Sequence, residues 1–383
     1  MKLHQLAVVF TLTALSAHAQ QPAPPPVERA ARAFAQLDAN KDGKLTREEL
    51  PERLRGNFDR VDTNKDGSIS KEEHTAVMAR GQAQAPKGGA RPVPASVEAK
   101  LDLPYADTDN PRQRLDLYLP KERKGEKPLP VIVFIHGGGW RAGDKASGAG
   151  NVMRFVESGE YVGVSVGYRL TNEVQWPAQI HDCKAAIRWV KAHAKEHNLD
   201  ATKIGVWGSS AGGHLVSMLG TSGDVKELEG AVGKHLDQDS RVTCVVNYFG
   251  PENFLTMIRQ SSTIDRTKGR DYPEALLLGG SVPEREAVAK EASPVTHVSA
   301  GDAPFLTVHG TKDPLVPFAQ GEEIHAALKQ VNVPSILQQM TNGGHGFRHA
   351  DLDQRVKQFL DLHLRGIPAE IATTPIEVTE ARK

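Results

Sequence analysis

Ser210, Asp313 and His345 occur in the chain order, and in the local settings, that acyl transfer by a serine nucleophile requires. Ser210 is the centre of Gly208-Ser209-Ser210-Ala211-Gly212. A Gly-x-Ser-x-Gly run lets the backbone turn sharply, because only small neighbours tolerate the close approach of strand and helix, and it leaves the hydroxyl presented. A hydroxyl becomes a useful nucleophile only beside a base, and the base needs a third group to fix its tautomer. His345, in Thr341-Asn342-Gly343-Gly344-His345-Gly346-Phe347, and Asp313, in His309-Gly310-Thr311-Lys312-Asp313, supply both. The developing oxyanion also needs backbone N–H groups. Ala211, next to the nucleophile, offers one. Gly138 and Gly139, in His136-Gly137-Gly138-Gly139-Trp140, offer the others without a side chain in the way. His136 and Gly137 shape that loop, and Trp140 borders it as the better candidate for a substrate contact.

The elements that must position these groups are legible as short apolar runs. Residues 203–207 read as a strand before Ser210 and residues 213–219 as a helix after it. Strands are expected at 130–135 before the glycine loop, at 303–308 before Asp313 and at 335–340 before His345. Each candidate then sits just past a strand end, on the edge of an open α/β sheet where ligands bind. Competing residues lack this placement. Ser209 is out of register, Asp302 precedes its strand, and His349 opens the last helical pattern. Asp182, His214 and His309 read as structural groups. The two cysteines, Cys183 in a helical pattern and Cys244 in a strand, leave a disulfide and two buried thiols both open.

Taken together, these motifs resemble the α/β-hydrolase superfamily. More narrowly, residues 97–366 are similar to the secreted esterase/lipase group with a His-Gly-Gly-Gly loop, related to hormone-sensitive lipase and to bacterial feruloyl and acetyl esterases. Residues 107–118, as a first hairpin, and Val164-Ser165-Val166-Gly167-Tyr168-Arg169-Leu170 carry part of the resemblance. It implies a mostly parallel central sheet with helices on both faces. It also implies Ser210 as nucleophile, His345 as general base and acid, Asp313 as its orienting partner, and Gly138, Gly139 and Ala211 as the oxyanion hole. A segment at about 252–294 then caps the site. Its Phe254, Met257, Ile258, Tyr272, Leu276, Leu277 and Leu278 either line a substrate pocket or pack the cap onto the body.

A second chemistry occupies the first quarter of the chain. Residues 38–49 and 62–73 repeat one pattern of hard oxygen donors. Ca²⁺ takes six to eight oxygens, from side chains at loop positions 1, 3 and 5, a carbonyl at 7 and a bidentate Glu at 12, with Gly at 6 for the turn. Asp38, Asn40, Asp42, Lys44 (through its carbonyl) and Glu49 fill the first loop, and Asp62, Asn64, Asp66, Ser68 and Glu73 the second. Val27, Ala30, Ala31, Phe34 and Leu37 recur at helical spacing before the first loop, and Leu50, Leu54, Phe58 and Val61 between the two. The whole resembles an EF-hand pair holding about two calcium ions, with dockerin-type loops as the near alternative. The short segment between the loops contains Pro51 and argues against a calmodulin-like opening switch.

Composition sets the outer limits. The 383 residues carry no net charge, so nothing electrostatic recommends nucleic acid or an anionic membrane as partner. Lys2, the apolar run 6–15 and Ser16-Ala17-His18-Ala19 read as a secretory signal over residues 1–19, too short to span a bilayer, which places the mature chain in the periplasm or outside the cell. A leader at 20–27, the EF-hand pair at 28–80, a linker at 81–96, the hydrolase domain at 97–366 and a patternless tail at 367–383 complete the expected organisation. The expected function is hydrolysis of short-chain or aromatic-acid esters, with plant polysaccharide esters as one source, and calcium in a structural role. An amidase or peptidase on the same fold is the first alternative. A non-catalytic calcium-dependent binding protein is the second. The chemistry itself asks for no cofactor, and the calcium module docks either on the catalytic domain or on a separate partner.

Overall fold

A computed structural model describes residues 34, 37, 38, 40–50, 58–75, 92–266 and 269–378. The expected signal, the leader, most of the linker, Val27, Ala30, Ala31, Leu54 and the end of the tail lie outside these. The chain divides into two compact units, Met1–Gln84 and Ala85–Lys383. In the first, β1 (Lys44–Leu45) pairs antiparallel with β2 (Ile69–Ser70), and α1 (Phe58–Val61) precedes the second loop. Each strand sits inside one calcium-type loop, so the pairing joins the loops back to back. Phe34, Leu45, Leu50, Phe58 and Ile69 form the buried core.

The second unit is built on a nine-stranded sheet ordered β11-β10-β9-β8-β7-β5-β6-β4-β3. Its strands are β3 (Val97–Pro104), β4 (Arg114–Pro120), β5 (Leu129–Ile135), β6 (Val162–Val166), β7 (Leu199–Ser209), β8 (Cys244–Tyr248), β9 (Phe305–Gly310), β10 (Ser335–Thr341) and β11 (Ile376–Glu377). The pairs from β6 through to β11 are parallel, while β4 runs antiparallel to both β3 and β6. Parallel strands need long crossovers, which here are mostly helical: α2 (Ala149–Glu157), α3 (Ala178–Ala192) with α4 (Ala194–His197), α5 (Ala211–Thr221), and α9 (Ala319–Gln330). A last helix, α10 (Ala350–Leu360), follows β10.

Every residue of β5 is buried because both faces of the sheet are covered. Val131, Val133 and Ile135 join the core with α3, α5 and α9, whereas Ile132 and Phe134 join the core with α2 and α10. The same division settles the cysteines. Cys183 belongs to the first face and Cys244 to the second, so the sheet itself stands between them, and both are free thiols. The tail is less patternless than its sequence: Ile376 and Glu377 add a parallel edge strand to β10, opposite Met340 and Thr341. The described residues of the cap segment include three short α-helices, α6 (Phe254–Met257), α7 (Pro273–Leu278) and α8 (Glu286–Glu291). Phe254, Met257, Tyr272, Leu277 and Leu278 are buried in the body, which favours packing over pocket lining.

Candidate active site

The turn after β7 is an elbow with Ser210 at its apex, at φ 55 and ψ −123, a conformation that costs a non-glycine residue strain. Neighbouring structure holds it there. The Ser210 N–H donates to the Tyr248 carbonyl at the end of β8 (2.9 Å), and the Ser210 carbonyl accepts from the His214 N–H in α5 (3.0 Å). Glycine is required on both flanks. A Cβ on Gly212 would lie 2.1 Å from the Ile135 carbonyl oxygen, and one on Gly208 would lie 2.3 Å from that of Gly212.

The structure brings the three sequence candidates together. The Ser210 hydroxyl donates to His345 Nε2 (2.9 Å), and His345 Nδ1–H donates to Asp313 Oδ2 (2.8 Å). Asp313 Oδ1 accepts the N–H groups of Leu315 (2.8 Å) and Val316 (2.9 Å), so the carboxylate is fixed at both oxygens. Burial alone would raise its pKa. The neighbouring His309 imidazole, with hydrogen bonds from His345 and the Val316 N–H, outweighs that and holds the carboxyl well below its ordinary range. His309 was legible only as structural. It donates Nε2–H to the Val316 carbonyl (2.9 Å) and stands 3.6 Å from Asp313, so it braces the turn that carries the acid.

Gly138, Gly139 and Trp140 all have positive φ (114, 59 and 55), which turns the glycine loop over the elbow. The N–H groups of Gly138 and Gly139 enter no hydrogen bond among the described turns and loops. That of Ala211 opens α5, where a helix leaves its first donors unpaired. Beneath the loop, His136 stacks on Tyr168 (4.3 Å between centroids) and Tyr168 donates to the His136 carbonyl. Burial lowers the His136 pKa to about 4, so the ring is a neutral strut.

Trp140 is not a substrate contact. It is 1% exposed, and its indole N–H donates to His214 Nδ1 (3.3 Å), whose Nε2–H donates to the Ala292 carbonyl (2.6 Å). The reason is its left-handed backbone, which turns the ring inward onto α5 and Phe254. His214 therefore ties the glycine loop, the helix behind the nucleophile and the end of the cap into one chain of hydrogen bonds. The other rivals stay outside the triad. Asp182 is buried against Arg169 and Gln113, His349 caps α10 through the Asp351 N–H, and Asp302 bonds Ser299. Sequence reasoning missed Phe249. This residue follows β8 at φ 41, and its ring lies 4.6 Å from that of His345 and 5.5 Å from Phe347. An aromatic pair, Tyr248-Phe249, at the end of a strand beside the elbow strand was the available signal.

The calcium-type loops of the first unit are shaped alike. Asp38 accepts the N–H groups of Asp42 (3.1 Å) and Gly43 (3.0 Å), and Asp62 those of Asp66 (3.2 Å) and Gly67 (2.9 Å). Glu49 accepts from Asn40 and Thr46, and Glu73 from Asn64 and Ser70. The Ser70 N–H first, with Ser70 and Thr63 hydroxyls, lowers the Glu73 pKa to about 2 in spite of desolvation. Among the described residues no three His, Cys, Asp or Glu side chains converge as a metal site by themselves. The donor set of each loop is completed by Asn40 or Asn64 and by the carbonyl of Lys44 or Ser68. Gly43 and Gly67 (φ 81 and 82) make the turn that aims those oxygens inward. The residues present thus fit Ca²⁺ in kind and order.

Comparison with known proteins agrees with this division. An EF hand model matches residues 31–52 and 57–77. LipM of Mycobacterium tuberculosis, described as a probable carboxylic ester hydrolase, is 33% identical over 68% of this chain and 60% of its own. The chain spans under two thirds of the length of LipM and of the related mycobacterial esterases LipC and LipQ. A truncated carbohydrate esterase from gut microbiota is 29% identical, covers 70% of this chain and 95% of its own, and superposes with a TM-score of 0.62. Esterase 2 of Thermogutta terrifontis, phosphorylated by paraoxon, is 25% identical with a TM-score of 0.55, over 72% of this chain and 97% of its own. These neighbours share the α/β-hydrolase architecture. The BD-FAE family model matches residues 115–328, more than half of the chain, and the protein belongs to that family.

Proposed function

We propose that the protein is a secreted serine hydrolase of carboxylic esters, with a calcium-binding module that serves structure. The observation that carries this is the unbroken hydrogen-bond chain from Ser210 through His345 to Asp313 beneath a strained elbow. Ser210 Oγ attacks the ester carbonyl as His345 Nε2 takes its proton. The N–H groups of Gly138, Gly139 and Ala211 hold the oxyanion, and Asp313 stabilises the imidazolium. His345 then gives the proton to the leaving alcohol. Water, deprotonated by the same nitrogen, releases the acid from the acyl-enzyme. Short acyl groups or aromatic acids on carbohydrate alcohols are the substrates we favour, supported by the carbohydrate esterase among the structural neighbours. Asp38, Asn40, Asp42, Lys44 and Glu49, and Asp62, Asn64, Asp66, Ser68 and Glu73, hold two calcium ions. The Ala17-His18-Ala19 pattern supports export, which N-terminal sequencing of the secreted form checks. Among the described residues no helix is long and apolar enough to cross a membrane.

Hydrolysis of p-nitrophenyl esters from acetate to decanoate, by wild type and Ser210→Ala, tests the reading. Turnover in the wild type that disappears in the variant supports it. A folded, calcium-loaded wild type without turnover overturns it and returns the amidase and binding alternatives.

A further inference from the structure

His345 must stand within reach of Ser210 and Asp313 at once, yet it sits among glycines, at 343, 344 and 346. Glycine leaves the backbone many conformations, so such a loop is aimed only as well as its ends are anchored. One end is Thr341-Asn342, where β10 gives way to the loop. The ladder from β9 stops one residue short of it, since its last pair is Gly310 with Met340. Thr341 pairs instead with Glu377 of β11, and its carbonyl accepts the Val378 N–H (2.9 Å).

Asn342 is the next point of hold, and it bonds in two directions. Its backbone is left-handed (φ 60), a conformation that asparagine tolerates better than most non-glycine residues. Its N–H donates to the Thr311 hydroxyl (2.9 Å), in the turn that carries Asp313, and its side-chain amide donates to the Glu377 carboxylate. The Lys312 N–H donates to the Gly343 carbonyl (2.9 Å) and closes the acid turn onto the same loop. The His345 loop is thus gripped by the acid turn through one set of bonds and by the C-terminal tail through another.

The tail is built into the unit rather than laid over it. Ile376 is 4% exposed and shares a core with Met340, Leu352 and Phe359. Arg355 of α10 donates to the Thr374 carbonyl (2.6 Å) and hydroxyl (3.1 Å), and to the Gln338 side chain in β10. These contacts fix where Glu377 stands. Glu377 and Asn342 are themselves exposed, where one hydrogen bond adds little to stability. What their bond does supply is a fixed distance between the tail and the start of the His345 loop.

We propose that the C-terminal tail is part of the apparatus that aims the general base. Glu377 is a positioning residue: through Asn342, and together with the Val378 N–H on Thr341, it sets where His345 stands between Ser210 and Asp313. The assignment rests on the ester-hydrolase reading and adds to that site a residue that touches no reacting atom.

Hydrolysis of p-nitrophenyl acetate by the full, calcium-loaded chain tests it. Glu377→Ala should lower kcat about fivefold with KM within about twofold of wild type, because a misaimed base slows proton transfer and leaves substrate binding alone. Val378→Pro, which deletes the donor to Thr341, should act in the same way. Glu377→Gln keeps an oxygen for the Asn342 amide and should stay within about twofold of wild type. Asn342→Gly keeps the left-handed backbone and removes the side chain. It should match Glu377→Ala, and the double variant should be no slower than either single one. The melting temperature of the second unit should stay within about 2 °C throughout. Unchanged kcat in Glu377→Ala and Val378→Pro overturns the proposal. So does a double variant whose losses multiply, or a fall in kcat that only follows a fall in melting temperature, since either makes the tail a general brace. A folded wild type without turnover defeats the ester-hydrolase reading and this proposal with it, whereas an active wild type with indifferent variants defeats this proposal alone.

Discussion

The catalytic unit and the calcium unit both place chemistry on turns, but they hold those turns in opposite ways. Ser210, Asp313 and His345 each follow a strand of a sheet buried on both faces, and every hydrogen bond that aims them is made by protein groups already in place. The calcium unit has strands of two residues and a described core of five buried side chains. Its carboxylates are gathered by the N–H groups of their own loops. Packing organises the first site in advance. On the proposed calcium-binding reading the second is finished by its ligand, as metal loops commonly are.

Perturbations should therefore separate the two. The largest effect belongs to the nucleophile: Ser210→Ala should lower kcat by at least about 10⁴-fold, with the melting temperature unchanged. Asp313→Asn comes next, with a loss of roughly 10³- to 10⁴-fold in kcat, because an amide cannot hold the imidazole in its working tautomer or balance its charge. The same residue carries a pH signature. Its pKa is depressed in the folded state, so its contribution to stability is complete above the unfolded value of about 3.9 and is lost as pH falls toward the folded value. Urea unfolding from pH 7 to 3 should show wild type losing stability relative to Asp313→Asn only at the acid end. A constant gap across that range would mean the carboxylate is not held as described.

A smaller effect tests the strap behind the glycine loop. His214→Phe keeps an aromatic ring but leaves the Trp140 indole N–H and the Ala292 carbonyl without their partner. We expect kcat to fall about tenfold with KM little changed, since the loop's work is done in the transition state. A boronic acid that mimics the tetrahedral adduct should bind the variant more weakly by a similar factor. Weakening of substrate and boronate alike would reduce His214 to general packing.

These contrasts also explain what the sequence could convey. The triad was legible because each member needs a strand end and a fixed chain order, and both leave marks in a one-dimensional pattern. The EF-hand loops were legible because that motif repeats oxygen-bearing residues at fixed spacing around a glycine. Trp140 misled, since adjacency to the glycine loop says nothing of which way a residue at positive φ turns its ring. The separation of Cys183 from Cys244 needed knowledge of which sheet face each occupies. The edge strand at Ile376 is two residues long and lacks periodicity, so only its pairing with β10 reveals it. The contacts of Phe249 with His345 and Phe347 join parts of the chain distant in sequence, information that no local pattern holds.

The smallest expected effect on catalysis is that of calcium. Calcium modules outside the cell commonly bind at about 0.1–1 mM. At a hundredfold excess over Kd, binding stabilises the folded form by about 2.7 kcal/mol. That gain should appear in calorimetry as an upward shift confined to the transition of the first unit, reversed by chelator and reduced in Glu49→Gln and Glu73→Gln. Turnover of p-nitrophenyl acetate should stay within about twofold under the same treatments, because the described hydrogen bonds that aim Ser210, His345 and Asp313 are all made within the second unit. A steep calcium dependence of kcat, with the second unit still folded, would show that the ion reaches the catalytic residues after all. The catalytic unit would then be organised partly from outside its own core, and the contrast drawn between the two sites would fail at the triad rather than at the loops.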